Sequence, residues 1–158
     1  MSLIKTIVIM LILVGVSFSS SSLIIRPQGG YGYFHSADPD SSGATYHAGA
    51  RILLPASEVK RYGLEFSWFD VKNGGEFTSM GILIEQKMWN WFNSSIGTVG
   101  YFGFGEDSEN IVGLMTNLGW EPNWDKPLKP FITYRTDFIF SEELTTIHSL
   151  SAGLALGF

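Results

Sequence analysis

The sequence predicts an all-β fold, an eight-stranded antiparallel transmembrane up-and-down β-barrel with a polar lumen and an apolar, lipid-facing exterior. The chain of 158 residues is 45% hydrophobic and has 18 glycines but only 16% charged residues. After the first 20 residues, no apolar run reaches the roughly 20 residues that a membrane helix needs. The apolar content is instead divided among eight strand-length segments. In most of them apolar residues alternate with small or polar ones, which is typical of a membrane barrel.

The N-terminus has the layout of a secretory signal peptide. A lysine at position 5 precedes an apolar stretch from Thr6 to Val16, and Ser17 and Ser19 supply the small residues of a cleavage site. The alternative is a retained membrane anchor, but about 11 to 14 apolar residues are few for a span. We therefore expect residues 1–19 to be a cleaved signal peptide and residues 20–158 to form one transmembrane barrel domain.

Turn signals separate the predicted strands. They include Asn73-Gly74-Gly75, a hairpin-type turn, and the proline-rich stretch from Pro122 to Pro130. Each segment is long enough to cross a bilayer when tilted, and an even count returns both termini to one side. The predicted strands are Leu23–His35, Ala44–Leu54, Arg61–Val71, Phe77–Met88, Ser95–Phe104, Ile111–Trp120, Phe131–Phe140 and Thr145–Phe158.

Alternation predicts which face of each strand meets lipid. In strand two, Tyr46, Ala48 and Ile52 share one face, whereas His47 and Arg51 share the other. Strands three, four, six, seven and eight divide in the same way, but glycines obscure the pattern in strands one and five. Because eight strands enclose a narrow interior, the small, glycine-rich face is expected inside and the apolar face outside.

Aromatic residues are predicted to form two girdles at the membrane interfaces. If the C-terminus is periplasmic, most tryptophans fall at periplasmic turns, whereas aromatics of a soluble core would cluster at strand centres. The predicted periplasmic girdle is Trp89, Trp91, Trp120, Trp124 and Phe158, and the predicted outer girdle is Tyr33, Trp68, Phe77, Phe104, Phe138 and Phe140.

Six charged residues fall on the small, polar face of the strands. Charges in a confined interior persist when they are paired and hydrogen-bonded, so we expect a charge-compensated polar core. The alternative is a narrow ion path, although eight strands usually leave no continuous channel. These lumen residues are Arg51, Glu65, Glu85, Lys87, Arg135 and Asp137.

The last strand ends in a pattern that resembles the C-terminal assembly signal of bacterial outer-membrane barrels: Ser151, Gly153, Leu156 and a final Phe158. With the strand count, this makes the mature chain similar in plan to the small OmpA-type and OmpX-type barrels. The resemblance implies a monomer exported to the bacterial outer membrane. Its implied partners are the barrel-assembly machinery and outer-membrane lipids, including lipopolysaccharide.

The sequence offers little support for an enzyme. Membrane-barrel enzymes that deacylate lipid A carry a His-x-Ser pair on one strand face, but His35, His47 and His148 are followed two residues later by Ala37, Gly49 and Leu150. With no cysteine and no metal-ligand spacing, we predict no catalytic residue, metal or cofactor. A net charge of −5 argues against nucleic acid as a partner. His35 and His148 are expected near the outer interface and His47 in the lumen.

The predicted function is structural, in membrane integrity, or surface interaction. A small channel or transporter for ions or hydrophobic molecules is the alternative, and a lipid A hydrolase is third. The outer loops are acidic and could join a surface layer bridged by divalent cations, although ordinary solvated loops are the favoured explanation. These acids are Asp38, Asp40, Glu76, Glu106, Asp107, Glu109, Glu142 and Glu143.

Overall fold

The computed structural model describes residues 23–36, 42–72, 75–105, 108–122, 127–141 and 144–158. The predicted signal peptide, Trp124 and most of the acidic loop residues therefore lie outside the described residues. The strands are β1 (Ile24–His35), β2 (Gly43–Pro55), β3 (Lys60–Val71), β4 (Gly75–Trp89), β5 (Phe92–Phe104), β6 (Glu109–Trp120), β7 (Leu128–Phe140) and β8 (Leu144–Gly157).

The strands form a closed antiparallel barrel in which each pairs with its neighbours in sequence and β1 pairs with β8. This confirms the predicted fold class, and the observed strands overlap all eight predicted ones. We call the end where β1 begins and β8 ends the terminal end, and the opposite end the distal end. No helix among the described residues is long and apolar enough to cross a membrane.

Side chains alternate between exterior and lumen as the sequence predicts. Along β4, for example, Met80, Ile82 and Ile84 are exposed, whereas Ser79 and Glu85 are buried. A barrel that exposes this many large apolar side chains has an apolar exterior suited to contact with lipid. Exposed aromatics also ring the terminal end, where the Trp91 and Trp120 rings lie 6.0 Å apart.

Two residues of the predicted outer girdle face the lumen instead, so their assignment was wrong. Phe77 is 3% exposed and Phe104 is 8% exposed. Phe77 shares the strand face of Ser79, so alternation along β4 sends its ring inward. Phe104 follows a shift in the β5–β6 register between Phe102 and Phe104, which reverses the alternation at the end of β5.

Gly103 makes this irregularity possible. Its φ of 75° lies in the left-handed region, which glycine adopts at little cost. We expect Gly103→Ala to lower the free energy of unfolding by about 1–2 kcal/mol, because alanine is strained at this φ. Urea unfolding of the folded barrel in detergent, followed by tryptophan fluorescence, measures the change.

Gly29→Ala is the matched control for this prediction. Gly29 lies on the exterior of β1 without a positive φ, and an added Cβ would meet its nearest neighbour, the His47 carbonyl oxygen, at 3.7 Å. The free energy of unfolding of the control variant is expected to lie within about 0.5 kcal/mol of that of the natural chain. Equal effects of the two alanines would mean that the bulge does not depend on glycine.

Candidate functional site

The middle of the lumen holds four charged side chains, Arg51, Glu65, Arg135 and Asp137, which we call the central ion layer. All four are at most 1% exposed. Arg51 Nε donates to Glu65 Oε2 at 2.7 Å, and its Nη2 donates to Asn117 Oδ1 at 2.6 Å. Arg51 and Glu65 are directly paired in the β2–β3 register, so neighbouring strands place them together.

Arg135 connects the rest of this layer. Its Nε and Nη2 donate to the two carboxylate oxygens of Asp137 at 2.6 and 2.7 Å, and its Nη1 donates to Glu65 across the lumen. Tyr101 donates to Asp137 at 2.5 Å, and the guanidinium lies 5.0 Å from the Phe69 ring centroid. Two arginines face two carboxylates, so the layer has no net charge. Such charge-assisted bonds offset part of the cost of burying ions.

A second group, Arg26, Arg61, Glu85 and Glu121, fills the lumen nearer the terminal end; we call it the terminal ion layer. Glu85 accepts from Arg26 Nη1 at 2.6 Å and from Arg61 Nη1 at 2.8 Å. Arg26 Nη2 also donates to Glu121. This layer is again neutral in total, but Arg61 is 23% exposed, so it is less completely buried than the central ion layer.

The remaining predicted lumen residue is Lys87. It is half-buried beside a cavity of about 30 Å³ at the terminal end. Arg61, Glu121 and Lys129 also line this cavity. Its volume corresponds to roughly one or two water molecules. The structure thus brings five of the six predicted lumen residues into two ion layers and places Lys87 at the terminal mouth.

Sequence reasoning missed Arg26 and Glu121. Arg26 lies on β1, whose alternation is obscured by Pro27 and by nearby glycines, and Glu121 follows the end of β6. In the structure the Arg26 side chain is 2% exposed, but the signal for its position in the sequence was weak. An arginine in an apolar strand is itself a hint of an internal carboxylate partner, because an unpaired arginine is costly to bury.

The distal half of the lumen is apolar rather than polar. It contains five buried aromatic residues, which we call the distal aromatic cluster: Phe34, Phe69, Phe77, Tyr101 and Phe104. The Phe69 and Phe77 rings are stacked with centroids 4.9 Å apart, and Phe77 meets Phe104 edge-on at 5.1 Å. Packed rings leave few voids as large as a water molecule, so this cluster closely occupies the distal part of the described lumen, next to the central ion layer.

The three histidines fall in different environments. His47 is in the lumen, as expected, where its Nε2 lies 2.8 Å from Ser151 Oγ. His35 and His148 are exposed on the exterior near the distal ends of β1 and β8. His148 Nδ1 lies 3.0 Å from the Tyr134 hydroxyl and 3.2 Å from Thr136 Oγ1. Among the described residues, no group of three or more His, Cys, Asp or Glu could hold a metal ion.

The C-terminal residues close the barrel. Gly153 pairs with Gln28 of β1 and with Phe131 of β7, and Leu156 pairs with Ile25 and Leu128. The Phe158 side chain is 71% exposed, and its backbone N–H donates to the Leu23 carbonyl at 2.9 Å. The terminal aromatic ring is therefore available on the exterior surface, whereas Ser151 points into the lumen. An assembly role for these residues stays a prediction.

Comparisons with known proteins identify the fold. No protein-family model matches the sequence, and no curated protein matches it significantly. The crystal structure of Neisserial surface protein A matches with a TM-score of 0.67 and 12% identity, covering 86% of this chain and 97% of that one. A structure from the de novo design of transmembrane beta-barrels matches with a TM-score of 0.50 and 12% identity, covering 87% and 95%. At this identity they show a shared fold, that of transmembrane barrels.

Proposed function

We propose that this chain is a non-enzymatic outer-membrane β-barrel of a Gram-negative bacterium and that it serves the integrity of that membrane. The observation that carries the proposal is the combination of a lumen that holds paired charges and packed rings with an apolar exterior. A barrel whose interior is occupied by paired charges and packed rings has its exterior wall and its loops left for function. The structural likeness to Neisserial surface protein A supports the location.

The remaining parts of the proposal follow from that location. Residues 1–19 direct export, and the terminal end faces the periplasm. The last strand, through Ser151, Gly153, Leu156 and Phe158, is recognised by the barrel-assembly machinery. The folded monomer contacts outer-membrane lipids, including lipopolysaccharide. Exposed aromatics near the ends of the barrel support the membrane location, because aromatic residues are common at both membrane interfaces.

The geometry around His148 favours a non-enzymatic role. A catalytic histidine needs a reachable nucleophile and a group that orients its ring. Thr136, the nearest hydroxyl-bearing candidate besides Tyr134, is 8% exposed, and both hydroxyls meet the same ring nitrogen. Within the described part of the chain, no carboxylate contacts this ring. Unchanged lipid A after co-expression with the protein is the corresponding expected result.

A small channel is the second candidate, because several buried polar atoms have no hydrogen-bond partner among the described residues. They include the Gln28 side-chain amide, His47 Nδ1 and Ser149 Oγ, on the neighbouring strands β1, β2 and β8. Together these atoms offer hydrogen-bonding groups to water molecules inside the lumen. These groups end, however, below the distal aromatic cluster, so a transport role requires those rings to move.

Conductance separates the two candidates. We expect the folded barrel in planar bilayers to give no steady conductance above background, since two ion layers and the distal aromatic cluster occupy its lumen. A general porin measured in the same bilayer is the positive control. Steady, ion-selective conductance would replace the structural role with the channel.

Heat-modifiable migration of the membrane fraction on gels tests the barrel itself: the folded form should migrate faster before boiling than after it.

A further inference from the structure

The exterior wall of the barrel carries a polar cluster on β7 and β8. His148 is directly paired with Thr136 in the β7–β8 register, and Tyr134 lies one row closer to the terminal end. The Tyr134 and His148 rings are nearly parallel, with an interplanar angle of 18° and centroids 6.3 Å apart. An ionisable side chain on a membrane-facing wall is costly, which makes His148, with its two hydroxyl partners, a candidate functional residue.

The hydroxyls around Nδ1 determine what His148 offers to a ligand. A tyrosine hydroxyl is a good donor, and when Tyr134 donates to Nδ1 the proton of a neutral ring resides on Nε2. A protonated ring also carries hydrogen on Nε2. In the described part of the chain Nε2 has no hydrogen-bond partner, and the side chain is exposed. His148 therefore presents an oriented N–H donor to the exterior.

Further hydroxyls lie beside it on β1 and β2. Tyr33 is directly paired with His148 on the opposite side from Thr136. In the next row, Tyr31 contacts Tyr46 edge-on at 5.2 Å, and both are more than half exposed. Tyrosines with polar tips are typical of the interfacial level of a membrane, where lipid headgroups begin.

The row of exterior residues below these tyrosines is unusually small. Ala152, Gly29 and Ala48 are paired side by side across β8, β1 and β2, so no side chain larger than a methyl group projects there. An alanine-sized Cβ at Gly29 would still meet nothing closer than 3.7 Å. Because these side chains are much smaller than the tyrosines above them, an acyl chain can lie close to the backbone there.

We infer that Tyr31, Tyr33, Tyr134, Thr136 and His148, the His148 patch, bind the phosphate-bearing headgroup of an outer-leaflet lipid. His148 Nε2 donates to a phosphate oxygen, the Tyr31 and Tyr33 hydroxyls supply further donors, and one acyl chain lies over Gly29 and its neighbours. Phosphate oxygens accept hydrogen bonds from imidazole N–H and tyrosine O–H groups, so the donors of the patch complement a phosphate group. The inference rests on the proposed membrane location, with the distal end outside.

Nitrogen NMR of histidine provides a direct test, because the chain has three histidines. The full barrel, labelled with ¹⁵N-histidine in neutral maltoside micelles, is titrated with dioctanoyl phosphatidic acid. We expect a saturable shift of the His148 ring resonances while those of the lumenal His47 stay unchanged. Dioctanoylglycerol, which lacks the phosphate, and inorganic phosphate, which lacks the chains, are expected to give no shift at the same concentrations.

Variants separate recognition from general membrane binding. His148→Leu is compatible with a lipid-facing wall and is expected to weaken phosphatidic acid binding by about tenfold or more in equilibrium dialysis. Tyr134→Phe keeps the ring but removes the hydroxyl, and a loss of about threefold to tenfold is expected. His35→Leu is the matched control, because His35 lies on the same wall but makes no hydrogen bond to a described residue; its binding should equal that of the natural chain.

Equal binding by the natural chain and His148→Leu would overturn the inference, as would an equal His148 shift with dioctanoylglycerol or inorganic phosphate. Heat-modifiable migration verifies that each variant is folded before binding is compared. Failure here is distinguishable from failure of the proposed function. Loss of headgroup binding leaves a non-conducting barrel, whereas steady conductance with intact phosphatidic acid binding would reject the structural role and keep the patch.

Discussion

Replacing Arg135 with methionine is expected to lower the free energy of unfolding by about 3–5 kcal/mol, because it leaves an uncompensated negative charge in the lumen. Arg135 is fully buried and contacts both carboxylates of the central ion layer, Glu65 and Asp137. Glu65 keeps Arg51, but Asp137 keeps only the Tyr101 hydroxyl among these contacts. Urea unfolding in detergent or lipid vesicles, followed by tryptophan fluorescence, measures the loss.

A charge-balanced variant provides the control. Arg135→Met combined with Asp137→Asn removes one charge of each sign, so Arg51 and Glu65 remain as a neutral pair. Because the main cost of the single variant is an unpaired buried charge, the double variant is expected to recover about 1–3 kcal/mol. A matching single variant, Asp137→Asn, completes the double-mutant cycle and isolates the interaction between the two side chains.

A small effect of Arg135→Met would indicate a hydrated lumen. If the free energy of unfolding of Arg135→Met lies within about 0.5 kcal/mol of that of the natural chain, water must reach Glu65 and Asp137 and stabilise them in place of the guanidinium. A lumen that hydrates its charges so readily is not sealed at its centre. The channel candidate would then gain support even before any conductance is measured.

Much of this architecture could be predicted from the sequence because a strand has a strict two-residue period. Where apolar and polar residues alternate without interruption, as between Tyr46 and Arg51 of β2, the period fixes which side chains share a face. The narrow interior of eight strands then determines that the small face is inside. Fold class, strand count and the lumenal placement of Arg51, Glu65 and Arg135 all follow from these two constraints.

The contacts between strands could not be predicted in the same way. Arg135 and Glu65 are 70 residues apart and meet across the lumen, which depends on the stagger of the closed barrel rather than on spacing in the sequence. Phe104 faces inward because of the bulge at Gly103, and a glycine-rich stretch does not reveal which of its glycines takes a positive φ. Phe77, by contrast, could have been placed from the alternation of β4 alone.

The two ion layers divide the lumen by depth. The central ion layer lies against the distal aromatic cluster, where Arg135 rests over Phe69. The terminal ion layer contains the 23% exposed Arg61 and adjoins a small cavity at the mouth. Charges at a mouth can be partly hydrated, and hydration reduces both the cost of burial and the strength of pairing. The terminal layer should therefore tolerate substitution better than the central one.

Glu85→Gln tests that difference, and it is expected to lower the free energy of unfolding by about 2–3 kcal/mol, less than Arg135→Met. The glutamine leaves Arg26 and Arg61 without their shared carboxylate. Arg26 is 2% exposed and keeps Glu121, whereas Arg61 can turn toward solvent. Added salt should reduce the loss further, because anions in the mouth can partly replace the missing charge. The same urea titration at low and high salt measures both effects.

Glu58→Gln is the matched control, since Glu58 lies exposed in the turn between β2 and β3 and the same amide replaces the same carboxylate. It is expected to change stability by less than about 0.5 kcal/mol at either salt concentration. A loss in Glu85→Gln as large as that of Arg135→Met, and independent of salt, would contradict the division by depth. It would mean that solvent does not reach Arg61 from the mouth, and that the barrel is sealed at its terminal end as firmly as at its centre.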